Sequence, residues 1–335
     1  MAKTGKPSLE DIARASGVSK MTVSRVLRGA SGFSDDTRDK VMAEVKRLDY
    51  VPNRLAAAFG ATGASTLVGV SVPRLTSVLF GQVLDGADRA LSRMGFQTMI
   101  GSHHHSPQDE AHWLRSIFSW RPAGVILSGR QHTLEAVDLI KSAAVPIVEI
   151  WDLNTSPIDM SVGFSHFDSG YEMGQFLVQR GYRKIGYVGA LAGVPSVGSR
   201  RLDGFKAALQ AAAVPLSGAE IVHDNPGFYA GFYGLEVLLA RHSGLDAVYF
   251  NNDEMAIGGI AYARANGITV PGDLGIAGWG GMEASSILPQ RLTTTVVPAT
   301  NIGTEAAKGL VARLRGEAST DVVVLATRLA PGETV

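Results

Sequence analysis

The chain has 335 residues, of which 45% are hydrophobic and 19% are charged, and it contains no cysteine. This composition excludes a disordered polymer, and the length fits about two to three domains of roughly 100–200 residues each. The absence of cysteine excludes disulfide frameworks, thiolate metal sites and cysteine nucleophiles. No apolar run approaches the roughly 18–20 residues of a membrane span and no signal peptide is visible, so we expect a cytoplasmic protein.

The formal net charge of zero conceals an uneven distribution of charge along the chain. Residues 1–64 contain 11 Lys/Arg and 7 Asp/Glu, a net charge of +4, and the remainder carries −4. Such asymmetry indicates, weakly by itself, a nucleic-acid or membrane contact in the basic segment.

Residues 8–48 predict three short helices. Ser8–Asp11 has the form of a capping box, Gly17 ends the first helix, and Ser19 and Ser34 can cap the second and third. Apolar side chains at helical spacing give each helix an inward face. Two short helices around a glycine-containing turn, followed by a third, are typical of a helix-turn-helix unit, although a small three-helix bundle without a DNA contact fits the same spacing.

The outward face of the second helix favours DNA binding. Hydroxyls and a lysine at a helix start suit phosphates and base edges, and Arg25 can reach guanine with two hydrogen bonds. The candidate DNA-contacting residues on this helix are Ser19, Lys20, Met21, Thr22, Ser24 and Arg25.

Residues 8–59, which include TVSRVL and a Tyr-x-Pro-Asn-Arg segment, resemble the headpiece of the LacI (lac/gal repressor) family. The resemblance implies a recognition helix at residues 19–28, with Lys20, Met21 and Arg25 at base-reading positions. It also implies a hinge helix that includes Asn53 and places Phe59 where the family has a leucine that wedges into the minor groove. A linker residue packed on the core is the alternative for Phe59.

From Thr66 onward, short apolar runs alternate with helical stretches, which predicts parallel sheets covered by helices. Two consecutive sets suggest two doubly wound halves facing a cleft, with ligands outside the carboxyl ends of the strands. The predicted strands are Leu67–Val72, Phe96–Gly101, Gly124–Leu127, Pro146–Ile150, Lys184–Val188, Ala247–Phe250 and Gly275–Ala277. The predicted helices are Val78–Met94, Gln108–Trp120, Ser169–Arg180, Ser199–Ala213, Phe228–Arg241 and Glu254–Asn266.

The resemblance continues through QRGYRKIGYVG, SRRLDGFKAAL and LTTTVVPATNIG and implies a periplasmic-binding-protein-like core joined by three crossovers. The expected fold is therefore an all-α helix-turn-helix headpiece plus an α/β core of two doubly wound parallel-sheet subdomains. We expect the headpiece at 1–49, the hinge and linker at 50–65 and the core at 66–335. Within the core, the N-subdomain should take about 66–163 plus 293–323, and the C-subdomain about 164–292 plus 324–335.

The resemblance also implies effector-binding residues. Arg201 stands where the family has an arginine that grips the effector, and Asn252 matches a sugar-binding asparagine, although each could instead serve only its own helix. Gly280, after the aromatic Trp279, stands where sugar-binding members usually carry an aspartate. A missing carboxylate removes a repulsion that would oppose an anionic ligand, so we expect a sugar acid rather than a neutral sugar.

Other segments resemble the gluconate-operon repressor branch of the family, among them KMTVSR, LFGQVLDGAD, which contains Phe80, and PIVEIWD. They add candidate effector contacts at strand ends: Phe80, Ser128, Arg130, His132, Glu149 and Trp151. A loop histidine is the alternative for His132, and a strand residue paired with a buried arginine is the alternative for Glu149.

The sequence thus predicts a homodimeric DNA-binding repressor that recognises a roughly palindromic operator and is controlled by a small sugar acid, with gluconate as the expected inducer. A neutral sugar as the ligand and a co-repressor instead of an inducer remain alternatives. An enzyme built on the same two α/β halves is a further alternative, although no phosphate loop or nicotinamide fingerprint supports it. No cofactor is expected. The run His103–His105 is interpreted as a surface loop rather than a metal site.

Overall fold

The computed structural model describes residues 7–27, 29, 31–51, 65–153, 155–190, 197–222 and 227–335. The chain divides into two compact units, Met1–Ser65 and Thr66–Val335. The predicted hinge segment, with Asn53 and Phe59, lies outside the described residues. No helix in the described ranges is long and apolar enough to cross a membrane.

The first unit contains the three predicted helices: α1 (Leu9–Ser16), α2 (Lys20–Leu27) and α3 (Asp35–Arg47). Ser8 caps α1 through a complete capping box, and Gly17 ends it at a φ of 67°, in the left-handed region that favours glycine. Ile12, Val23 and Val41, one from each helix, are fully buried and form the centre of the small core.

The second unit alternates strands and helices. Its strands are β1 (Leu67–Val72), β2 (Gln97–Ser102), β3 (Gly124–Ser128), β4 (Ile147–Asp152), β5 (Met160–Phe164), β6 (Ile185–Ala190), β7 (Leu216–Val222), β8 (Ala247–Phe250), β9 (Gly275–Gly280), β10 (Thr293–Val296), β11 (Val322–Val324) and β12 (Arg328–Ala330). Its helices are α4 (Val78–Arg93), α5 (Pro107–Ser119), α6 (Leu134–Ala143), α7 (His166–Gln179), α8 (Val197–Ala211), α9 (Phe228–Arg241), α10 (Asp253–Ala265), α11 (Glu283–Ile287) and α12 (Ala299–Leu314).

The strands form two sheets with the orders β11-β5-β4-β3-β1-β2 and β12-β10-β9-β8-β6-β7. The pairs are parallel, except that β12 runs antiparallel to β10. Central strands such as β4 are buried along their whole length, as expected for sheets that carry helices on both faces. The expected architecture of two parallel-sheet α/β subdomains is confirmed.

The chain passes between the two sheets three times: after β5, after β10 and after β11. The second crossing corrects the expected boundary at 292/293. Residues Thr293–Val296 pair in parallel with β9, with Thr293 opposite Ala277. This segment is therefore a strand of the second sheet, and the crossing follows it. The threonine-rich run LTTTVV gives no apolar periodicity that would have separated a strand from a linker.

Helices α7 and α8 pack closely together and thereby set the position of Arg201 on α8. A Cβ added at Gly170 of α7 would lie 1.9 Å from the carbonyl oxygen of Arg201. A Cβ at Gly204 of α8 would likewise lie 1.9 Å from the carbonyl oxygen of Phe167. The two glycines therefore allow the backbones to approach, and larger residues would displace the arginine.

Candidate functional site

A cavity of about 970 Å³ lies at the carboxyl ends of strands from both sheets. In open sheets of parallel strands, ligands bind at this edge, because a crevice forms where the order of the strands reverses. Seven of the predicted effector residues line the cavity: Phe80, Ser128, Arg130, Trp151, Arg201, Asn252 and Trp279.

Arg201 is held firmly in the wall of this cleft. One guanidinium nitrogen lies 2.9 Å from Nδ1 of His166, and the other donates to the backbone and side-chain oxygens of Asn251, both at 2.7 Å. Its guanidinium also lies over the ring of Trp279, 3.8 Å from the centroid. Burial and the nearby Arg201 charge lower the pKa of His166 well below its usual value, so the imidazole is neutral and can accept this bond.

No carboxylate of the described residues forms an ion pair with Arg201, although its side chain is only 4% exposed. Its Nε is also buried without a hydrogen-bond partner there. A buried charge without a counter-charge is costly, and such groups are normally paired. The cleft therefore offers a fixed positive charge to an anion.

Aromatic rings form one wall of the cleft. Trp151 contacts Phe80 with ring centroids 4.5 Å apart, and it meets Trp279 edge to face at 6.1 Å. The backbone of Trp151 has a φ of 87°, which costs about 1–3 kcal/mol for a non-glycine residue and marks a position that packing over-determines. The Trp279 indole donates to the Ser169 hydroxyl at 2.8 Å, which fixes its ring.

A carboxylate between two arginines, which the sequence did not reveal, also lines the cleft. Asp152 ends β4, and its Oδ2 lies 3.1 Å from Nε of Arg130 and 3.2 Å from Nη1 of Arg200. Burial raises the pKa of this carboxyl to about 6, although the Arg130 charge lowers it. Arg200 precedes Arg201 on the same helix, and both residues line the cleft.

The interpretation of His103–His105 as a surface loop is only partly right. His103 is buried, with its Nε2 3.0 Å from the Ser128 hydroxyl, and both His103 and His105 line the cleft. Burial lowers the pKa of His103, so its ring is neutral near pH 7. Among the described residues, no group of three or more His, Asp or Glu side chains is placed to hold a metal ion.

His132 and Glu149 do not line the cleft, contrary to prediction. His132 lies behind the wall with its side chain 3% exposed, where Nδ1 is 2.5 Å from Glu110 and Nε2 is 3.5 Å from Glu149. Burial lowers the pKa of His132, but the hydrogen bonds and charges of the two glutamates raise it to about 9. Glu149 also accepts the backbone N–H of Ile158 at 2.7 Å, and His132 is a charged neighbour of its other carboxylate oxygen.

Gly280 also lies outside the lining formed by the described residues. It ends β9 with a φ of 132°, a backbone conformation that side-chain-bearing residues rarely adopt. A Cβ there would lie 3.3 Å from Leu79 and 3.9 Å from a carboxylate oxygen of Asp253. An aspartate at this position would therefore be strained, and the backbone conformation by itself accounts for the absence of a carboxylate.

Two asparagines after β8 divide the roles expected of Asn252. Asn251 accepts from Arg201, whereas the side chain of Asn252 caps α10 by accepting from the Met255 N–H at 2.8 Å. Both line the cleft. Asp253 is buried and accepts from the Ser285 hydroxyl and the Met282 N–H, each at 2.8 Å. This acid therefore fixes the loop after β9.

The candidate DNA-reading face lies on α2 in the first unit. The Ser19 hydroxyl accepts the Thr22 N–H at 3.1 Å and thereby caps α2. Lys20, Met21 and Arg25 are exposed, and Met21 retains 73% of its accessible surface. Arg25 donates to the carbonyl oxygen of Ser31 in the following loop. Thr22 and Ser24 are half-buried beside this exposed row.

Comparisons with known proteins agree with these two units. The model for bacterial regulatory proteins of the lacI family matches residues 8–53, and the model for the periplasmic binding protein-like domain matches residues 175–335. The HTH-type transcriptional regulator GntR of Escherichia coli (strain K12) is 33% identical over 99% of this chain and 100% of its own.

Solved structures give the same result. A transcriptional regulator of this family from Silicibacter pomeroyi matches with a TM-score of 0.91 and 36% identity, covering 98% of this chain and 99% of that one. The lac repressor dimer bound to operator and the anti-inducer ONPF matches with a TM-score of 0.87 and 25% identity, covering 98% and 99%.

These similarities, a helix-turn-helix unit and a two-sheet unit with a ligand cleft define a DNA-binding transcriptional regulator rather than an enzyme. The chain belongs to the LacI family and is a transcriptional repressor of the LacI/GntR type.

Proposed function

We propose that a small sugar acid, gluconate or a close relative, binds in the cleft as the inducer of this repressor. The repressor would act in the cytoplasm, on the bacterial nucleoid, and would control genes for sugar-acid uptake or catabolism. The observation that carries the proposal is Arg201, a buried guanidinium at the cleft wall with no carboxylate partner among the described residues. A ligand carboxylate supplies the missing charge and can accept a charge-assisted hydrogen bond from the guanidinium.

The rest of the cleft suits a polyol. Amide groups of Asn251 and Asn252 and the hydroxyl of Ser128 can exchange hydrogen bonds with ligand hydroxyls, and the rings of Trp151 and Trp279 offer apolar faces to the carbon chain. Gluconate is chosen among sugar acids because of the sequence motifs that resemble the gluconate-operon repressor branch.

A ligand panel tests this proposal. The full chain would be incubated with operator DNA selected in vitro from a random-sequence pool, and gluconate, 2-ketogluconate, glucose and glucitol would each be titrated into the complex. We expect release of DNA by one of the acids at concentrations at which the neutral compounds have no effect. Release by a neutral sugar alone would refute the acid class, and tighter DNA binding with an acid would identify a co-repressor instead.

For DNA, we propose that two copies of the chain form a dimer on a roughly palindromic operator, with Lys20, Met21 and Arg25 reading base edges in each half-site. Ser19, Thr22 and Ser24 would contact phosphates at the start of α2. Asn53 and Phe59 keep their proposed hinge roles. Because an inducer must bind the DNA-incompetent arrangement more tightly, effector affinity should fall when operator is present.

The base-reading role of Arg25 predicts a sequence-dependent effect. Arg25→Ala should weaken operator binding by about 1–3 kcal/mol and relax specificity at one base pair of each half-site, because a guanine contact is lost. Competition binding with single-base operator variants measures this. Arg38→Ala, which removes an exposed arginine of α3, is the control. Equal weakening on every sequence would reassign Arg25 to a phosphate contact.

A further inference from the structure

Asp152 is, among the described residues, the carboxylate of the cleft wall that two arginines from different parts of the chain share. Arg130 follows β3 and Asp152 ends β4 in the first sheet, whereas Arg200 lies on α8, between strands of the second sheet. The contact of 3.2 Å between Arg200 Nη1 and Asp152 Oδ2 therefore joins the two halves of the cleft.

The two arginines contact only one oxygen of the Asp152 carboxylate. Both arginines approach the same oxygen, Oδ2, and Oδ1 is buried without a hydrogen-bond partner among the described residues. Neither contact is the two-bond, parallel arrangement that makes an arginine–carboxylate pair strong. A buried carboxylate oxygen left without a donor also loses its hydration, which disfavours the ionised form.

The carboxylate that we propose for Arg201 would also be a better partner than Asp152 for Arg200, the preceding residue on α8. Its guanidinium and that of Arg130 both line the cleft and are each about one-third exposed. A free carboxylate that enters from the cleft can align with the planar guanidinium, which the fixed end of β4 does not allow for Asp152. Two positive charges that share one internal acid leave an excess of positive charge for an anion.

We propose that Asp152 competes with the anionic group of the effector for Arg200, so that effector binding replaces an ion pair between the two subdomains by a ligand contact. This inference rests on the proposed acidic effector. In this role Asp152 lowers the affinity of the cleft for the anionic effector. The alternative role is that Asp152 accepts hydrogen bonds from ligand hydroxyls and so raises the affinity. The charge state of Asp152 then couples effector affinity to pH.

The two roles of Asp152 predict opposite effects of the Asp152→Asn substitution on the affinity for gluconate. Asp152→Asn keeps the shape and the ability to bond hydroxyls but removes the competing charge. We expect Asp152→Asn to bind gluconate about fivefold more tightly than the wild-type chain at pH 7.5, the scale of one partly exposed ion pair, and to bind glucitol no more tightly. Arg200→Gln should weaken gluconate binding, because it removes the arginine for which both acids compete.

The pH dependence gives a second measurement on the unmodified chain. Because the pKa of Asp152 is raised to about 6, the residue ionises as pH rises from 5 to 7.5 and strengthens its hold on Arg200. Wild-type affinity for gluconate should therefore fall over this interval by more than the affinity of the Asp152→Asn variant does. The other histidines and acids of the described cleft lining are His103, His105, Glu110, Asp253 and Glu254, and their contribution is common to both proteins.

Isothermal titration calorimetry of the full chain with gluconate and with glucitol measures these affinities. Asp138→Asn, at an exposed position of α6, is the matched control, and thermal unfolding verifies that each variant is folded. Equal or weaker gluconate binding by a folded Asp152→Asn variant, with gluconate bound by the wild type, would overturn this inference alone. Gluconate binding by neither protein would overturn both this inference and the gluconate proposal.

Discussion

Replacing His132 by alanine should lower the free energy of unfolding of the core by about 3–5 kcal/mol, because it leaves two buried carboxylates without their shared counter-charge. Glu110 and Glu149 are 2% and 1% exposed, and His132 lies between them. Chemical denaturation of the full chain measures the loss. A loss below about 1 kcal/mol would contradict the role of His132 as the shared counter-charge of the two glutamates.

Two further measurements isolate the charge of His132. His112→Ala removes an exposed histidine of α5 and should change stability by less than about 0.5 kcal/mol. The folded pKa of His132, about 9, lies above its unfolded value of 6.5. Its contribution is therefore complete below pH 6.5 and is lost as pH rises through 9, by about 3 kcal/mol in total. The His132→Ala variant should lack this decline.

Replacing Arg201 by alanine should abolish release from operator by a sugar acid while operator binding persists. The substitution removes the charged partner of the ligand carboxylate in a buried site, an effect of about 2–5 kcal/mol in effector affinity. Arg201→Lys should restore little, because an ammonium cannot replace the planar group that spans Asn251 and His166. Operator release assayed over a range of gluconate concentrations measures both variants.

The matched control for Arg201 is Arg241→Ala, which removes a largely exposed arginine that pairs with Glu220 on the second-sheet half. This variant should respond to the effector like the wild type. Normal release from operator by the Arg201→Ala variant would contradict the assignment of Arg201 as the carboxylate partner. Loss of operator binding itself would instead assign Arg201 a role in the fold of the α7–α8 pair.

Sequence patterns located the elements well where one local rule decided them. The hydroxyl caps and the glycine stop of the headpiece depend on residues within one helical turn, and α1 and α2 begin where Ser8 and Ser19 place them. Strands with continuous apolar runs, such as β1 and β8, match their predicted bounds. Strands β5, β7 and β10 carry small or polar residues and were not predicted, because tertiary pairing rather than local pattern holds them.

The candidate site was predicted in outline but not in its pairings. Arg201 and Trp279 were placed correctly on the cleft wall, because the family motif fixes their position along the chain. His132 and Glu149 were assigned to the cleft because they lie near strand ends, yet their side chains meet behind the wall. Glu149 lies within β4, where successive side chains point to opposite sides of the sheet, and His132 lies in the loop after β3, where strand alternation does not set the direction of a side chain.

The sequence by itself determined a basic helix-turn-helix unit, an α/β core with two sheets, and an arginine suited to an anion. Only the tertiary structure decided which charges meet. Asp152, Arg130 and Arg200 are up to 70 positions apart in the chain. The packing of the two halves brings Oδ2 of Asp152 to 3.1 Å from Arg130 and 3.2 Å from Arg200. Net charge and spacing are local or summed properties, whereas an ion pair depends on distances that the packing of both sheets sets.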